Sequence, residues 1–318
     1  MEFLQTTFRF FWCIWEDKDV SRETREMNKK NKTISTKDHM LTKHQFEIVP
    51  DKTTGVLKTK PTPEKTEIQK YYNFPTYDSY TDSPKTLIAV LYTLVRRITT
   101  KSKLKQIFSR HKSKGALLDV GCGTGVFLSK IKNEGWSATG IEPNNAARNF
   151  ARKTNAQEVY SSKEDLKKTK KKFDVITLWH SLEHVHDLEE TIRFLFNTLK
   201  VKGSVLVAVP NHRSFDAGHY KEFWAAYDVP RHIWHFSQDS IVNIFKKHGF
   251  EIKTKTPMFW DSFYVSILSE KYKEGSFPFL KGIFVGMFSN FLSFFTGESS
   301  SITYVFSKTN KIENLREQ

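Results

Sequence analysis

The feature that most constrains the fold of this chain is an apolar, strand-like run that passes directly into three closely spaced glycines. The run is Leu117-Leu118-Asp119-Val120, and the glycines follow at positions 121, 123 and 125. Glycine lets a backbone turn tightly and approach a ligand where a Cβ atom would collide, and the helix that follows points its free N–H groups back at the turn. A second strand-like run ends at Glu142, whose carboxylate can accept hydrogen bonds from both hydroxyls of a ribose. Together, these patterns predict a pocket for a cofactor that contains adenosine.

The spacing of the glycines indicates which adenosine cofactor the pocket suits. A dinucleotide fingerprint requires Gly-x-Gly-x-x-Gly, and counted from Gly121 its third glycine would stand where the chain has Val126. The chain has Gly-x-Gly-x-Gly preceded by Asp119, a form that resembles the S-adenosylmethionine site of class I methyltransferases. The resemblance implies that Asp119 and Gly121 lie near the amino-acid end of S-adenosylmethionine and that Glu142 holds its ribose.

The remaining cofactor contacts follow from the same resemblance. Ser162 stands after the third predicted strand, where an acidic residue that contacts adenine is usual, with Glu164 and Asp165 close by. Trp179 ends the fourth predicted strand, and we expect it to pack beside the cofactor. The predicted cofactor-binding residues are Asp119, Gly121, Cys122, Gly123, Gly125, Glu142, Pro143, Ser162 and Trp179.

Strand-like and helix-like segments alternate from Gly115 onward, and this alternation predicts the fold class. The predicted strands cover residues 116–120, 138–142, 158–161, 173–179, 204–209, 251–256 and 302–307. Alternating βα units imply a parallel sheet with helices on both faces. We therefore predict an α/β fold with a doubly wound, mostly parallel, seven-stranded Rossmann-like sheet. Ligands of such sheets bind beyond the carboxyl ends of the strands, so the residues after each strand are the candidates for chemistry.

The chain before residue 76 is predicted to form two segments outside a methyltransferase domain of residues 76–318. Residues 1–32 form a leader that we interpret as disordered or misassigned, because residues 1–26 are acidic and aromatic, unlike the sequence after Met27. Residues 33–75 resemble the small ribbon that precedes some bacterial methyltransferase domains, in which paired cysteines hold zinc. No cysteine stands in this stretch, so we expect a β-hairpin without a metal.

The segment after the fourth predicted strand gathers histidines and a carboxylate. It includes His180, Glu183 and His184, which should lie at the carboxyl edge of the sheet. A neutral histidine can take a proton from a hydroxyl at pH 7. We therefore predict His184, or else His180, as the general base, with Glu183 beside it. The alternative is that Glu183 and His184 only cap and orient the next helix.

This histidine segment, Leu-Trp-His-Ser-Leu-Glu-His-Val at 178–185, also resembles the post-strand-four signature of O-methyltransferases of the ubiquinone-biosynthesis type. In some of those enzymes, acidic and histidine side chains at this point bind a divalent metal. Here His180 occupies the place where an acid is more usual, and we assign no metal. The Asn/Asp-Pro-Pro-aromatic pattern of enzymes that methylate base amino groups is missing at this point, which disfavours that chemistry.

A long connection after the fifth predicted strand carries a second cluster of aromatic and charged residues: Trp224, Asp228, Arg231 and His232. Connections of this length are uncommon unless they are functional. The aromatic side chains suit a planar or apolar acceptor, and Arg231 suits a carboxylate or phosphate. The alternative is an internal ion pair between Asp228 and Arg231 with a packed tryptophan. This segment is typical of the bacterial "methyltransferase domain 23" type, which residues from about 80 to 308 resemble.

Residues 277–295, between the last two predicted strands, are rich in Phe, Gly and Leu and contain a single charged residue, Lys281. One interpretation is a helix that covers the core or the substrate cleft. The other is a helix that makes peripheral contact with a membrane surface. The pattern lacks the polar, cationic face expected of a membrane-surface helix, which favours the first interpretation.

Composition and charge bear on which partners and which cellular compartment to expect. The formal net charge is +15, but lysine runs such as 167–172 carry no interleaved aromatic residues for base stacking, so we interpret them as solvated and expect no nucleic-acid partner. Two cysteines cannot form a disulfide framework, which fits the reducing cytoplasm.

We predict an S-adenosylmethionine-dependent methyltransferase that methylates an oxygen of a small-molecule or lipid-linked acceptor by in-line transfer. The alternatives are an RNA methyltransferase and a non-catalytic homologue that binds S-adenosylmethionine.

Overall fold

A computed structural model describes residues 33–72, 87–155 and 158–309 of the chain. The predicted leader of residues 1–32 and the predicted domain boundary at residue 76 lie outside the described residues. Within them, two β-sheets and the helices around the larger sheet form the fold.

The larger sheet has seven strands, and it confirms the predicted fold class. Its strands are β4 (Ala116–Val120), β5 (Ser137–Ile141), β6 (Val159–Tyr160), β7 (Phe173–Trp179), β8 (Leu199–Pro210), β10 (Phe250–Pro257) and β11 (Ser301–Lys308). Their order across the sheet is β10-β11-β8-β7-β4-β5-β6. The strands from β6 to β8 are parallel, and β11 runs antiparallel to both of its neighbours.

Helices cover both faces of this sheet because its central strands are apolar on both sides. They are α1 (Leu87–Phe108), α2 (Val126–Asn133), α3 (Asn145–Phe150), α4 (Lys163–Lys167), α5 (Leu188–Thr198), α6 (Phe215–Tyr220), α7 (Gln238–Lys247), α8 (Phe259–Tyr272) and α9 (Pro278–Thr296). Adjacent residues of one strand enter opposite apolar clusters, as Leu117 and Leu118 do in β4. Successive side chains of a strand point to opposite faces, so each face has its own core.

The smaller sheet joins the N-terminal segment to the rest of the fold. It is antiparallel, with the order β1 (Ile34–Lys37), β2 (Gln45–Pro50), β3 (Leu57–Lys60) and β9 (Trp234–His235). The predicted β-hairpin is confirmed as the antiparallel pair of β2 and β3. The sheet also contains β1, which the sequence did not predict because it lies in a Lys/Thr-rich stretch without a clear apolar pattern. The burial of Thr36, whose hydroxyl donates to the carbonyl of Glu222, shows how a polar residue can fill a core position. The fourth strand comes from the long connection after β8.

The predicted insert of residues 277–295 forms one helix of a pair. Helices α8 and α9 follow β10 and precede β11 in the chain, and they pack closely along each other. Among the described residues, α9 is the one helix that is long and apolar enough to cross a membrane by length and composition, and 22% of it is buried.

Candidate functional site

The glycine loop begins where β4 ends at the carboxyl edge of the large sheet. Gly121, Gly123 and Gly125 have φ angles of 77°, 54° and 76°, in the left-handed region that side chains disfavour. A Cβ atom on Gly121 would lie 2.6 Å from Cβ of Ser181, whereas one on Gly123 would meet nothing within 4 Å. The loop therefore packs against the histidine segment on one side and faces open space at Gly123.

Glu142 holds the glycine loop from the neighbouring strand. One carboxylate oxygen accepts a hydrogen bond from the backbone N–H of Gly123 at 2.9 Å, and the other accepts from Asn144 at 2.8 Å. Burial raises the pKa of Glu142, and these two hydrogen bonds oppose the rise. The carboxylate is thus fixed next to the open space at Gly123, where its remaining lone pairs can accept ribose hydroxyls.

Asp119 lies beneath the glycine loop and is 3% exposed. It accepts a hydrogen bond from the Thr177 hydroxyl at 2.7 Å. Burial raises its pKa to about 6, against this hydrogen bond and the charge of Lys103. The ammonium of Lys103 lies 4.6 Å from the centre of the Trp179 ring, and burial lowers its pKa. Sequence reasoning missed Thr177 and Lys103.

The other predicted cofactor residues lie at the same edge of the sheet. Ser162 caps α4, where its hydroxyl accepts from the N–H of Asp165 at 3.2 Å. Cys122 is a buried free thiol whose pKa is raised by burial, and Pro143 is exposed beside Glu142. Contact of Ser162 with adenine remains a prediction.

His180 follows β7 and lies between two carboxylates. Its Nε2 is 3.0 Å from Asp261 of α8, and its Nδ1 is 3.5 Å from Glu183. Burial by itself would lower the pKa of His180, but the charges and hydrogen bonds of Asp261 and Glu183 outweigh it and raise this pKa to about 10. His180 is therefore an imidazolium at neutral pH, and this charge state disfavours it as a general base.

His184 has the opposite electrostatic environment. Burial lowers its pKa, and the nearby His232 lowers it further. Its Nδ1 lies 2.9 Å from the carbonyl oxygen of Arg231 and 3.0 Å from the hydroxyl of Tyr72. A proton on Nδ1 donated to that carbonyl leaves Nε2 as an acceptor. Of the two histidines, His184 is the one in the protonation state that a base requires.

A group of possible metal ligands also lies here. Glu183, His184 and His232 each offer one ligand atom, and these atoms lie within 4.8 Å of one another. Glu183 is 1% exposed, and the partner described above is Nδ1 of His180, 3.5 Å from one carboxylate oxygen. These are donor types that Zn²⁺ accepts, so this group could hold a metal although the sequence led us to assign none.

The structure corrects the predicted acceptor contacts of the long connection after β8. Arg231 is 2% exposed, and its guanidinium binds Asp228 at 2.6 Å and Asp38 of the small sheet at 3.0 Å. Trp224 is also 2% exposed, and its indole N–H donates to Asp216 at 2.8 Å. These two side chains are buried and paired inside the protein, so neither presents a polar group to an acceptor. The internal ion pair is the alternative that the structure shows.

Asp228 and His232 belong to the same internal network. Asp228 pairs with Arg231, and His232 has its Nδ1 2.8 Å from the carbonyl oxygen of Ala226. The ring of His232 meets that of His184 edge-on, with 4.6 Å between ring centres. Of the four predicted acceptor residues, His232 is thus the one whose side-chain ring packs against the ring of the predicted base, which also faces the backbone carbonyl of Arg231.

The fold and this edge of the sheet define a Rossmann-like α/β protein with a site for a nucleoside cofactor. A family model described as "Methyltransferase domain" matches residues 95–255, and the chain belongs to this family. The methyltransferase domain is of the S-adenosylmethionine-dependent kind, which confirms the predicted enzyme class and cofactor.

Individual relatives agree with the family. A ubiquinone biosynthesis O-methyltransferase from Bos taurus is 28% identical over 163 residues, which are 46% of this chain and 44% of that protein. One from Escherichia coli is 31% identical over 102 residues, or 30% of this chain and 42% of that protein. The chain thus spans less than half the length of the curated relatives it matches. Magnesium protoporphyrin IX methyltransferase from Synechocystis, solved with bound SAH, shares the fold with a TM-score of 0.52 and 14% identity, covering 77% of this chain and 100% of that one.

Proposed function

We propose that this protein methylates a hydroxyl oxygen of a small-molecule or lipid-linked acceptor, with His184 as the general base. The observation that carries the proposal is the orientation of His184: its Nδ1 faces the carbonyl of Arg231, which leaves Nε2 free to accept a proton. The adjoining Ser181 lies against Gly121 and donates to the carbonyl of Val120 at 2.7 Å. The base therefore belongs to a segment that directly contacts the predicted cofactor loop.

Different residues would have different roles in an in-line displacement. When bound, S-adenosylmethionine would supply an electrophilic methyl group on a sulfonium, whose sulfur keeps the electron pair when the methyl group leaves. Nε2 of His184 would take the proton of the acceptor hydroxyl, so that the acceptor oxygen can receive the methyl group. Asp119, Glu142 and the glycine loop would hold the cofactor in line with the acceptor, because alignment of the reacting atoms can lower the barrier by about 7–11 kcal/mol.

An oxygen acceptor is supported by the relatives, several of which are named ubiquinone biosynthesis O-methyltransferases. The chemistry of the site agrees, since a neutral histidine suits a weakly acidic hydroxyl. The internal pairing of Arg231 removes the predicted anchor for a carboxylate or phosphate on the acceptor.

The proposal is tested by incubating the purified chain with S-adenosylmethionine carrying a labelled methyl group and an acceptor panel. The panel should hold phenols, catechols and isoprenoid-linked catechols, with matched anilines and an RNA transcript as controls. We expect labelled methyl ethers from the hydroxylated compounds alone. Labelling of the anilines or RNA in preference to them would refute oxygen methylation, and cofactor binding without any transfer would favour a non-catalytic homologue.

A further inference from the structure

The exposed face of α9 is the largest feature that the methyl-transfer site does not explain. Six large apolar side chains on this face are between 53% and 76% exposed: Leu280, Phe284, Met287, Phe291, Phe294 and Phe295. They recur every three or four residues and so form one continuous stripe along a helix of 19 residues, about 28 Å long. We call this stripe the α9 apolar face. Exposed apolar surfaces of this kind mark interaction sites.

The opposite side of α9 explains why the bulky residues point outward. Gly282, Gly286, Ser289 and Ser293 are the buried residues of the helix. A Cβ atom on Gly282 would lie 2.5 Å from the backbone of Ile267, and one on Gly286 would lie 2.9 Å from the backbone of Phe263. Small residues between closely packed helices, with large apolar residues outside, are the arrangement of helix pairs in membranes. A soluble helix normally turns its large apolar side chains inward.

The buried side of α9 is fastened to the protein by hydrogen bonds. The hydroxyl of Ser289 donates to the buried carboxylate of Asp216 at 2.7 Å. The hydroxyl of Ser262 on α8 donates to the carbonyl of Gly286 at 3.2 Å, and the amide of Asn290 donates to that of Phe259 at 2.9 Å. Protein packing thus replaces the polar face that a free membrane-surface helix would need. With one side fixed in this way, α9 turns only its apolar side outward, as a helix lying in the plane of a bilayer surface would.

Charge around the α9 apolar face favours a lipid surface over another apolar partner. Between residues 258 and 297, the exposed charged side chains are Lys271, Lys273, Glu274 and Lys281, a net positive set. The whole chain carries +15. The exposed Trp260 and Tyr264 of α8 add aromatic residues of the kind that gather at membrane interfaces. Lysines beside an exposed apolar helix are typical of attachment to anionic lipids.

We propose that the α9 apolar face docks this protein on the surface of an anionic lipid bilayer, with α9 lying in the plane of the interface. The same helix pair reaches the methyl-transfer site, because Asp261 of α8 binds His180. Docking would therefore bring that site to the bilayer surface. The docking itself does not depend on which acceptor is methylated.

Vesicle sedimentation of the full chain tests this proposal. With vesicles of phosphatidylglycerol and phosphatidylcholine, we expect binding that falls about tenfold or more in a double variant, Phe284→Ser with Phe291→Ser. Lys281→Gln, which removes one positive charge, should weaken binding about fivefold on these vesicles but not on pure phosphatidylcholine. The matched control, Phe150→Ser with Val201→Ser, removes two exposed apolar side chains elsewhere and should bind like the wild type.

Circular dichroism and S-adenosylmethionine affinity should be unchanged in all variants, because every substituted side chain is exposed. Absence of vesicle binding by the wild-type chain would overturn the proposal. So would equal binding by the α9 double variant and its control. Light scattering that shows a wild-type dimer, dissociated by the α9 double variant, would assign this face to a second copy of the chain instead.

Discussion

Asp261 of α8 lies 3.0 Å from Nε2 of His180 at the end of β7. This contact links the α8–α9 helix pair to the edge of the large sheet where the glycine loop lies. Burial would raise the pKa of Asp261, but the charge of His180 and its hydrogen bond outweigh that effect and lower this pKa. The two residues therefore form an ion pair that fixes the position of α8 relative to the site.

Replacement of Asp261 by Asn should lower the pKa of His180 and destabilise the fold. The folded-state pKa of His180 is raised from 6.5 to about 10, so its contribution to stability is fully present below pH 6.5 and is lost as the pH rises through about 10. The pair is partly exposed, so loss of the partner should cost about 1–3 kcal/mol of unfolding free energy. An NMR titration of His180 and urea unfolding across this pH range measure both effects.

The control for this experiment is Glu251→Gln, which removes the exposed carboxylate of a surface pair with Lys253. This variant should keep the wild-type dependence of stability on pH above 6.5. If Asp261→Asn also kept it, the ion pair would not be present in solution.

Glu142→Gln should weaken the binding of S-adenosylmethionine. The amide can accept a hydrogen bond at only one of its two positions, whereas the carboxylate accepts from Gly123 and Asn144 and is placed to accept from the ribose. Calorimetry should show a loss of about 1–3 kcal/mol in binding free energy. Glu164→Gln, an exposed residue at the same edge of the sheet, is the matched control, and equal affinities of the two variants would contradict the ribose assignment.

His184→Asn should reduce turnover and leave the affinity for S-adenosylmethionine unchanged. A base must be neutral to act, and burial lowers the pKa of His184 below 6.5. Wild-type turnover should therefore fall only in acid and remain level between pH 7 and 8. His248→Asn, at the C-terminal end of α7, is the control. A rate that rises until about pH 10 would instead indicate that His180 must lose its proton.

Local patterns could be predicted from the sequence because the residues that determine them are close together. The turn at 121–125 needs only a strand, three glycines and a helix start, and the structure shows all three. The strands of the large sheet were predicted within a few residues of their bounds, except β8, which begins at Leu199 rather than at Ser204. There, Leu199 pairs with Phe173 of β7, and the strand passes through an irregular, Gly-containing stretch before regular pairing with β7 begins at Ser204.

Contacts between distant segments could not be predicted in this way. Asp228 and Arg231 allowed both an acceptor site and an internal pair, and the residue that decides between them, Asp38, lies in the small sheet. Lys103 and Asp261 join the site from helices whose placement depends on the whole fold. The apolar pattern of 277–295 did not show which face of the helix is buried. Glycine and phenylalanine are both compatible with a buried face, and only the packing against α8 shows that the small residues face inward.

Arg231→Met should lower the stability of the protein, and this loss should be larger than any effect on acceptor affinity. The substitution leaves the carboxylates of Asp38 and Asp228 without their shared cation, and Asp38 is fully buried. Such a loss costs about 3–5 kcal/mol of unfolding free energy. In contrast, Arg193→Met removes an exposed pair with Glu189 and should cost less than about 1 kcal/mol. Urea unfolding measures both variants. Wild-type stability of Arg231→Met with a raised KM for the acceptor would restore the role that we predicted from the sequence.

Gly121→Ala and Gly55→Ala separate two reasons why a glycine can be required. Both residues have positive φ angles, 77° and 70°, so each alanine should cost about 1 kcal/mol of unfolding free energy through its backbone conformation alone. At Gly55 the added Cβ meets nothing within 4 Å, whereas at Gly121 it would lie 2.6 Å from Cβ of Ser181. Gly121→Ala should therefore lose more stability in urea unfolding and should also bind S-adenosylmethionine more weakly in calorimetry, because the loop must shift away from Glu142. Ser181→Gly in the same chain should recover part of both losses. Equal costs at the two glycines, with cofactor affinity unchanged, would show that the histidine segment does not hold the cofactor loop in place.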